Sequence, residues 1–172
     1  MTELNNIGQL LQKVTTELKD YISSQSLDNP AMVGIHTGGA WLAQHLHKNL
    51  AFEEPLGTLD ISFYRDDFSS KGLHPQVKPS SLSFSPENRH IILVDDVLMT
   101  GRTIRAALNE IFGYGRPQTV TLVTLIDIQS RELPIQADIV GQSVALSKQE
   151  RIKLRGPDPL NVEIHHITQQ QD

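Results

Sequence analysis

Cysteine is absent from the 172 residues, which excludes a disulfide framework, a thiolate metal site and a cysteine nucleophile. The sequence also lacks an apolar run long enough to span a bilayer. Residues 1–25 lack the basic start and the apolar stretch of a signal peptide. From these absences we expect a cytoplasmic protein with no membrane partner.

Positive charge is scarce, because 15 Lys and Arg residues stand against 20 Asp and Glu residues and give a net charge of -5. Non-specific affinity for nucleic acid comes from neutralising phosphates, so an acidic chain is a poor general nucleic-acid binder. A substrate with many negative charges would need magnesium or dedicated backbone donors. The length and the 38% hydrophobic content predict a single domain over residues 1–172.

Helical and strand patterns alternate along the chain. Apolar residues recur at three- and four-residue steps over residues 7–22, which predicts an amphipathic helix. The predicted strands are residues 32–35, 58–64, 91–94 and 120–126, and further helices are predicted at 40–50 and 103–112. This order indicates an α/β fold with a mainly parallel central sheet flanked by helices. The polar stretch at about 65–86 predicts a mobile functional loop, and short segments within 127–172 predict a small hood.

Residues 91–103 carry the strongest functional signal. Four apolar residues of a buried strand lead into Asp95 and Asp96, and a Thr-Gly-Arg-Thr turn then opens a helix. Ligands of open α/β sheets lie beyond the carboxyl ends of the strands, and a helix N-terminus suits a phosphate. The stretch therefore predicts a cradle for a ribose 5-phosphate. The alternative is an ordinary strand, a polar turn and a capped helix.

A second glycine-containing turn follows the first strand at residues 36–39. Adjacent glycines can direct backbone N–H groups toward an anion. A Thr-Gly-Gly turn is common, so its position one strand–helix unit before residues 91–103 is what makes it a candidate anion site.

Residues 91–103 resemble the phosphoribosyl pyrophosphate (PRPP) signature of type I phosphoribosyltransferases. The resemblance implies that fold, and it implies that Asp95 and Asp96 bind the ribose hydroxyls and, through water or PRPP, Mg2+. It places the 5′-phosphate on Thr100, Gly101, Arg102 and Thr103. The earlier turn is similar to the pyrophosphate loop of that family, which implies PRPP contacts from Thr37, Gly38 and Gly39.

Residues 60–68, 115–117 and 127–141 resemble the bacterial regulators of pyrimidine operons that are also uracil phosphoribosyltransferases. The resemblance implies that uracil and PRPP give UMP and pyrophosphate, and that the protein forms a homodimer or a larger homo-oligomer. It implies that Arg65 is a catalytic residue, with Asp95 and Asp96, on a loop that closes over the site. It makes 137–141 a hood segment in which Ile139 lies against the base and Val140 reads its edge. The alternatives are a solvated loop at Arg65 and a core strand at Ile139.

Other functions remain open from the sequence. Met99 cannot transfer a proton, which disfavours hypoxanthine or guanine as substrate. The chain departs from the regulators at Gly38 and Met99, where Arg and Tyr are frequent, and at Ile128 within residues 127–129. RNA binding has thin support, since Arg151, Lys153 and Arg155 alternate on one strand face while residues 14–23 hold one lysine and two acids. The alternatives are a UMP- or UTP-sensing regulator that binds messenger RNA, and a transferase for another base.

Overall fold

The computed structural model describes residues 3–62 and 80–167. Helices and strands alternate through most of this chain. In sequence order they are α1 (Ile7–Ser24), β1 (Ala31–Ile35), α2 (Gly38–Asn49), β2 (Gly57–Leu59), β3 (His90–Leu98), α3 (Arg102–Tyr114), β4 (Thr119–Asp127), β5 (Ile139–Ser143), β6 (Glu150–Arg155) and β7 (Asn161–His166).

The first five strands form a parallel sheet in the order β2-β1-β3-β4-β5. The central strands β3 and β4 are buried along most of their length, which explains their nearly continuous apolar sequences. In the register of the sheet Gly34 lies beside Val94, and Asp95 lies beside Thr124. The carboxyl ends of β1, β3 and β4 therefore meet at one edge, where Asp95 and Asp96 are placed.

Alternate residues of β3 point to opposite faces of the sheet and enter separate hydrophobic clusters. Ile92 and Val94 pack with α1 and α2, while Ile91 and Leu93 pack with α3. Helix α1 packs on one face of the sheet and buries there the apolar stripe formed by Leu10, Val14 and Leu18. Burying one such side chain stabilises the fold by about 1.5–3 kcal/mol, so the clusters fix both helix layers against the sheet.

The predicted α/β fold with a mainly parallel sheet is confirmed. The helices start and end within two residues of the predicted bounds, and each of the four predicted strand ranges overlaps a strand. The prediction of a strand over residues 58–64 is wrong for residues 60–62, because β2 ends at Leu59 and the Asp60 carboxylate then accepts a hydrogen bond from the Ser62 N–H at 3.0 Å. Residues 63 and 64 lie outside the described residues. Of the predicted loop 65–86, residues 65–79 lie outside the described residues, and Ser81 forms a bridge with Thr58.

The interpretation of residues 137–141 as a hood segment is wrong. Residues 139–141 belong to β5, which pairs with β4 as an edge strand of the central sheet and lies under α1. A separate antiparallel hairpin of β6 and β7 follows it, with Ile152 opposite Ile164. Among the described residues no helix has the length and hydropathy needed to cross a membrane.

Candidate active site

Two adjacent carboxylates stand near the end of β3. Asp95 is 4% exposed, whereas Asp96 is half-buried. The Asp95 carboxylate accepts a hydrogen bond from the Asp96 N–H at 3.0 Å, which fixes the orientation of the Asp95 side chain. The strand extends through both acids to Leu98, so the carboxylates are held by the sheet and not by a loop. Such a rigid support suits groups that must orient a ligand.

The first turn of α2 lies directly against these acids. A Cβ atom on Gly38 would overlap the Asp96 carboxylate, and a Cβ on Gly39 would lie 2.7 Å from the Val94 carbonyl oxygen and 2.9 Å from the Asp95 Cα. Because the atoms near Gly39 are backbone and those near Gly38 belong to the Asp96 side chain, it is at Gly39 that the close approach requires glycine. The peptide bond between His36 and Thr37 is cis, and the His36 N–H donates to the Leu59 carbonyl at 2.8 Å.

The turn after β3 is tight and leads straight into α3. Gly101, at the N-cap, has φ of 91°, a conformation that favours glycine, and a Cβ there would lie 3.0 Å from the Ile135 side chain. Neighbouring backbone supports the turn, because the Thr100 carbonyl accepts from the Glu132 N–H at 3.0 Å and from the Leu133 N–H at 3.1 Å. The turn is thus supported by residues 132–135, through two backbone hydrogen bonds and the side chain of Ile135.

The N-termini of the described helices differ in how they are capped. Helix α1 has a complete capping box between Asn6 and Gln9. By contrast, the N-cap residues Thr37 of α2 and Gly101 of α3 form no side-chain cap hydrogen bond in the described part of the chain, although the Arg102 N–H at the start of α3 donates to the Thr100 hydroxyl oxygen at 3.2 Å. A helix N-terminus with unsatisfied N–H groups and a positive dipole end favours an anion. Both of these N-termini lie at the carboxyl edge of the sheet, next to Asp95 and Asp96.

A cavity of about 460 Å³ opens at this edge. Its walls include the predicted Asp95 and the turn residues Thr100 to Thr103, together with residues from the segments after β4 and β5 and from β6. The guanidinium of Arg102 forms an ion pair with Glu132 at 2.7 Å within this lining. Apolar side chains also line the cavity, among them those of Ile128, Leu146 and Ile152. The cavity thus combines a polar, anion-favouring end with an apolar wall.

Comparison with known proteins identifies the family of this chain. A model of the phosphoribosyl transferase domain matches residues 1–153. Curated relatives named bifunctional protein PyrR include one from Pseudomonas paraeruginosa, 57% identical over 160 residues, which are 93% of this chain and 94% of that protein. Another, from Pseudomonas syringae pv. tomato, is 52% identical over 165 residues, 96% of this chain and 97% of that protein. The chain belongs to the bifunctional PyrR group of phosphoribosyl transferases.

Solved phosphoribosyltransferases share the fold of this chain. A hypoxanthine phosphoribosyltransferase from Staphylococcus aureus superimposes with a TM-score of 0.63 at 24% identity, over 83% of this chain and 77% of that chain. A purine phosphoribosyltransferase from Pyrococcus horikoshii gives 0.58 at 16% identity, over 78% of this chain and 82% of that chain. At such identities the likeness concerns the fold alone. The predicted type I phosphoribosyltransferase fold is confirmed.

The structure brings together most of the residues that the sequence predicts for PRPP. The acids Asp95 and Asp96, the turn Thr100 to Thr103 and the glycines after Thr37 meet at one edge of the sheet. Arg65 lies outside the described residues. What these residues bind stays a prediction, because proximity alone does not identify a ligand.

The two residues predicted to bind the base lie elsewhere. Ile139 is 3% exposed and packs in the core cluster that contains Val14 of α1. The backbone carbonyl of Val140 accepts a hydrogen bond from the Lys13 ammonium at 3.1 Å, so its polar edge contacts α1. Neither is among the described residues that line the cavity. Ile139 therefore fits the alternative interpretation, in which it belongs to a core strand, because β5 is a strand of the central sheet.

Several of the described cavity residues were not assigned to the site from the sequence, among them Ile128, Leu146, Arg151 and Ile152. Ile128 follows β4, Leu146 follows β5, and Arg151 and Ile152 belong to β6. These residues come together only when the hairpin of β6 and β7 folds back over the sheet. One signal was available, because a phosphoribosyl transferase needs an apolar surface for a flat base, and half-buried apolar residues after the strands could supply it.

The acids also set what kind of metal the site can hold. No group of three or more His, Cys, Asp or Glu residues that could hold a metal occurs among residues 3–62 and 80–167. Mg2+ binds through one or two carboxylates, waters and substrate phosphates, and it needs no cage made wholly of protein. The donor set at Asp95 and Asp96 therefore fits a magnesium ion that arrives with a phosphorylated substrate.

Proposed function

We propose that this chain is a uracil phosphoribosyltransferase, which transfers the phosphoribosyl group of PRPP to uracil and gives UMP and pyrophosphate. The observation that carries the proposal is one cavity in which Asp95, the N-terminal turn of α3 and apolar side chains meet. Membership of the phosphoribosyl transferase family supports the reaction class, and identity of more than half with bifunctional PyrR proteins supports the choice of uracil.

The polar end of the cavity holds the phosphoribosyl group in this proposal. Backbone N–H groups at the start of α3, the hydroxyls of Thr100 and Thr103 and the Arg102 guanidinium bind the 5′-phosphate. The carboxylates of Asp95 and Asp96 accept hydrogen bonds from the ribose 2′- and 3′-hydroxyls, because an ionised carboxylate only accepts. The sugar is then held at its 5′-phosphate and at its 2′- and 3′-hydroxyls, which fixes its reactive carbon relative to the base.

Pyrophosphate leaves toward the first turn of α2. Thr37, Gly38 and Gly39 present this helix N-terminus beside Asp96, and a positive dipole end favours the negative charge that develops on the leaving group. Bound Mg2+ would supply further neutralisation of the pyrophosphate, held by Asp95 and Asp96 directly or through water. Arg65 is proposed as a second positive partner of the leaving group, from a loop that excludes water when it closes.

The apolar wall of Ile128, Leu146 and Ile152 provides the surface for the base. A flat heteroaromatic ring buries its faces against such side chains, and its edges need polar partners. Met99 is 45% exposed beside the turn and has no group that transfers a proton. The chain therefore catalyses by positioning the reactants and by stabilising the leaving group, and not by a dedicated base at this position.

Steady-state assays with PRPP, Mg2+ and each nucleobase test the proposal. Uracil is expected to give the largest kcat/KM and UMP as product, while cytosine, hypoxanthine and guanine give little nucleotide. Preference for another base would support the alternative transferase, and no nucleotide from any base would contradict the enzymatic proposal.

A second candidate function is regulation of pyrimidine-operon transcription through messenger RNA, with UMP or UTP as the signal and weak catalysis. The specific support is that the curated relatives are named bifunctional. The face of β6 formed by Arg151, Lys153 and Arg155 is the basic candidate surface, although Arg155 is already paired with Glu163 at 3.2 Å. RNA affinity should fall linearly with salt on logarithmic axes if these cations neutralise phosphates. Salt-independent or absent binding would reject this function.

We also propose a homodimer or a larger homo-oligomer, which the sequence resemblance implies. The chain mass is 19.2 kDa, so light scattering on a sizing column should give at least twice that mass. A monomer at micromolar concentration would contradict this part of the proposal.

A further inference from the structure

Residues 131–135, here called the buttress segment, pack against the phosphate turn at residues 99–103. The Thr100 carbonyl accepts from two backbone N–H groups of the buttress segment. Ile135 lies so close to Gly101 that a Cβ there would be 3.0 Å from its side chain. The turn that begins α3 is therefore shaped against this segment.

Arg131 connects the buttress segment to the end of β4 and to Met99, the residue that follows β3. Its Nη1 donates to the Met99 carbonyl at 2.7 Å, its Nη2 to the Asp127 carboxylate at 2.6 Å, and its Nε to the Ile135 carbonyl at 2.7 Å. Asp127 is 7% exposed at the end of β4. Charge-assisted hydrogen bonds of this kind are the strong ones. One guanidinium thus ties the end of β4, the residue before Thr100 and the segment behind Gly101.

Arg131 is not among the described residues that line the cavity, so it acts through the turn and not on a ligand. We propose that Arg131 is a positioning residue, which sets the backbone N–H groups of the phosphate turn for the 5′-phosphate. This inference rests on the proposed function, because it takes the turn as the phosphate site. It adds a residue outside the cavity on which affinity for the phosphate depends.

The forked shape of the guanidinium is the physical basis for a test. Lysine keeps the positive charge beside Asp127, but its compact ammonium cannot serve acceptors in three directions with the same fork. Arg131→Lys therefore retains the ion pair with Asp127 and weakens the hydrogen bond to the Met99 carbonyl. The matched control is Arg89→Lys, since Arg89 is at the opposite end of the sheet and also bridges a carboxylate, that of Glu54 at 2.9 Å, and a carbonyl, that of Asn29 at 3.1 Å.

The decisive measurement is the affinity of each protein for ribose 5-phosphate by titration calorimetry, alongside KM and kcat with PRPP and uracil. We expect Arg131→Lys to bind ribose 5-phosphate about tenfold more weakly, which corresponds to about 1.4 kcal/mol. The KM for PRPP should rise with it, while the KM for uracil stays near the parent value. Arg89→Lys should leave both the affinity and the kinetic constants unchanged.

The outcomes separate the inference from the proposed function. Parent affinity for ribose 5-phosphate in Arg131→Lys overturns the inference while uracil turnover by the parent protein still stands. Weakened affinity together with a parent that makes no UMP supports the inference and rejects the function. An equal loss in Arg89→Lys shows a general effect of losing a guanidinium and overturns the inference, as does a parent protein that does not bind ribose 5-phosphate.

Discussion

Asp96 differs from its neighbour Asp95 in that it is half-buried and contacts the first turn of α2. Asp96→Asn keeps the shape of the side chain and removes its charge, so the fold should remain. We expect UMP formation to fall by roughly 100-fold, since a loosely held ribose no longer presents its reactive carbon to the base. Initial rates at saturating PRPP and uracil measure this. A variant that turns over at the parent rate contradicts the role given to the acid.

Gly39 offers a sharper steric test. A Cβ at this position would meet backbone atoms of Val94 and Asp95, which cannot move aside as a flexible side chain can. Gly39→Ala should therefore displace the start of α2, cost about 1–3 kcal/mol in the free energy of unfolding and raise the KM for PRPP. Urea unfolding and steady-state kinetics measure the two effects.

The matched control for this substitution is Gly113→Ala. Gly113 lies near the end of α3, and no atom comes within 4 Å of the position that its Cβ would occupy. Alanine there should stabilise the protein by about 0.5 kcal/mol through its better helix propensity and leave catalysis unchanged. If both alanines behave alike, the close approach at Gly39 is not needed.

The sequence predicted the location of those site residues that belong to one short motif. Asp95, Asp96 and the turn from Thr100 to Thr103 are contiguous in the chain, so one strand–turn–helix unit places them together. Ile152 was missed because it reaches the cavity through a distant hairpin. Ile139 was assigned to the base from the family resemblance, and its apolar side chain suits a core strand equally well.

The capping of α1 is separate from the site. The Asn6 side chain accepts from the Gln9 N–H at 2.9 Å, and the Gln9 side chain accepts from the Asn6 N–H at 3.3 Å. Asn6→Ala should lower the free energy of unfolding by about 1 kcal/mol. Because α1 packs on β4 and β5 away from the cavity, the KM for PRPP and for uracil should not change. Thermal unfolding with parallel kinetics checks both statements, and a large loss of activity would show that α1 is coupled to the site.

The helices and strands were predictable where their patterns are long. Helix α3 and strands β3 and β4 have buried residues at regular spacing, and Gly101 and Gly115 mark the ends of the helix. Strand β2 was predicted too long, because alternation continues after Leu59 while the Asp60 carboxylate turns the chain by local hydrogen bonds. The sheet membership of β5 depends on its pairing with β4, which lies outside any local pattern.

The whole molecule is acidic, with a net charge of -5, yet its proposed ligands are anions. In our proposal the anions are bound by backbone N–H groups at two helix N-termini, which attract phosphate without adding net charge. Ligand binding should stabilise the folded protein, and a UMP concentration of about 100 Kd should add about 2.7 kcal/mol to the free energy of unfolding. Thermal melts should show a clear rise with UMP and a much smaller one with uridine at equal concentration. Equal shifts would mean that the phosphate is not recognised.

The most direct measurement is a crystal structure of the protein with PRPP and Mg2+. The account predicts the ribose hydroxyls within hydrogen-bonding distance of Asp95 and Asp96, the 5′-phosphate on the N–H groups of Thr100 to Thr103, and the pyrophosphate beside Gly38 and Gly39. PRPP bound away from these carboxylates, or crystals that leave this edge of the sheet without PRPP at saturating concentration, would contradict it.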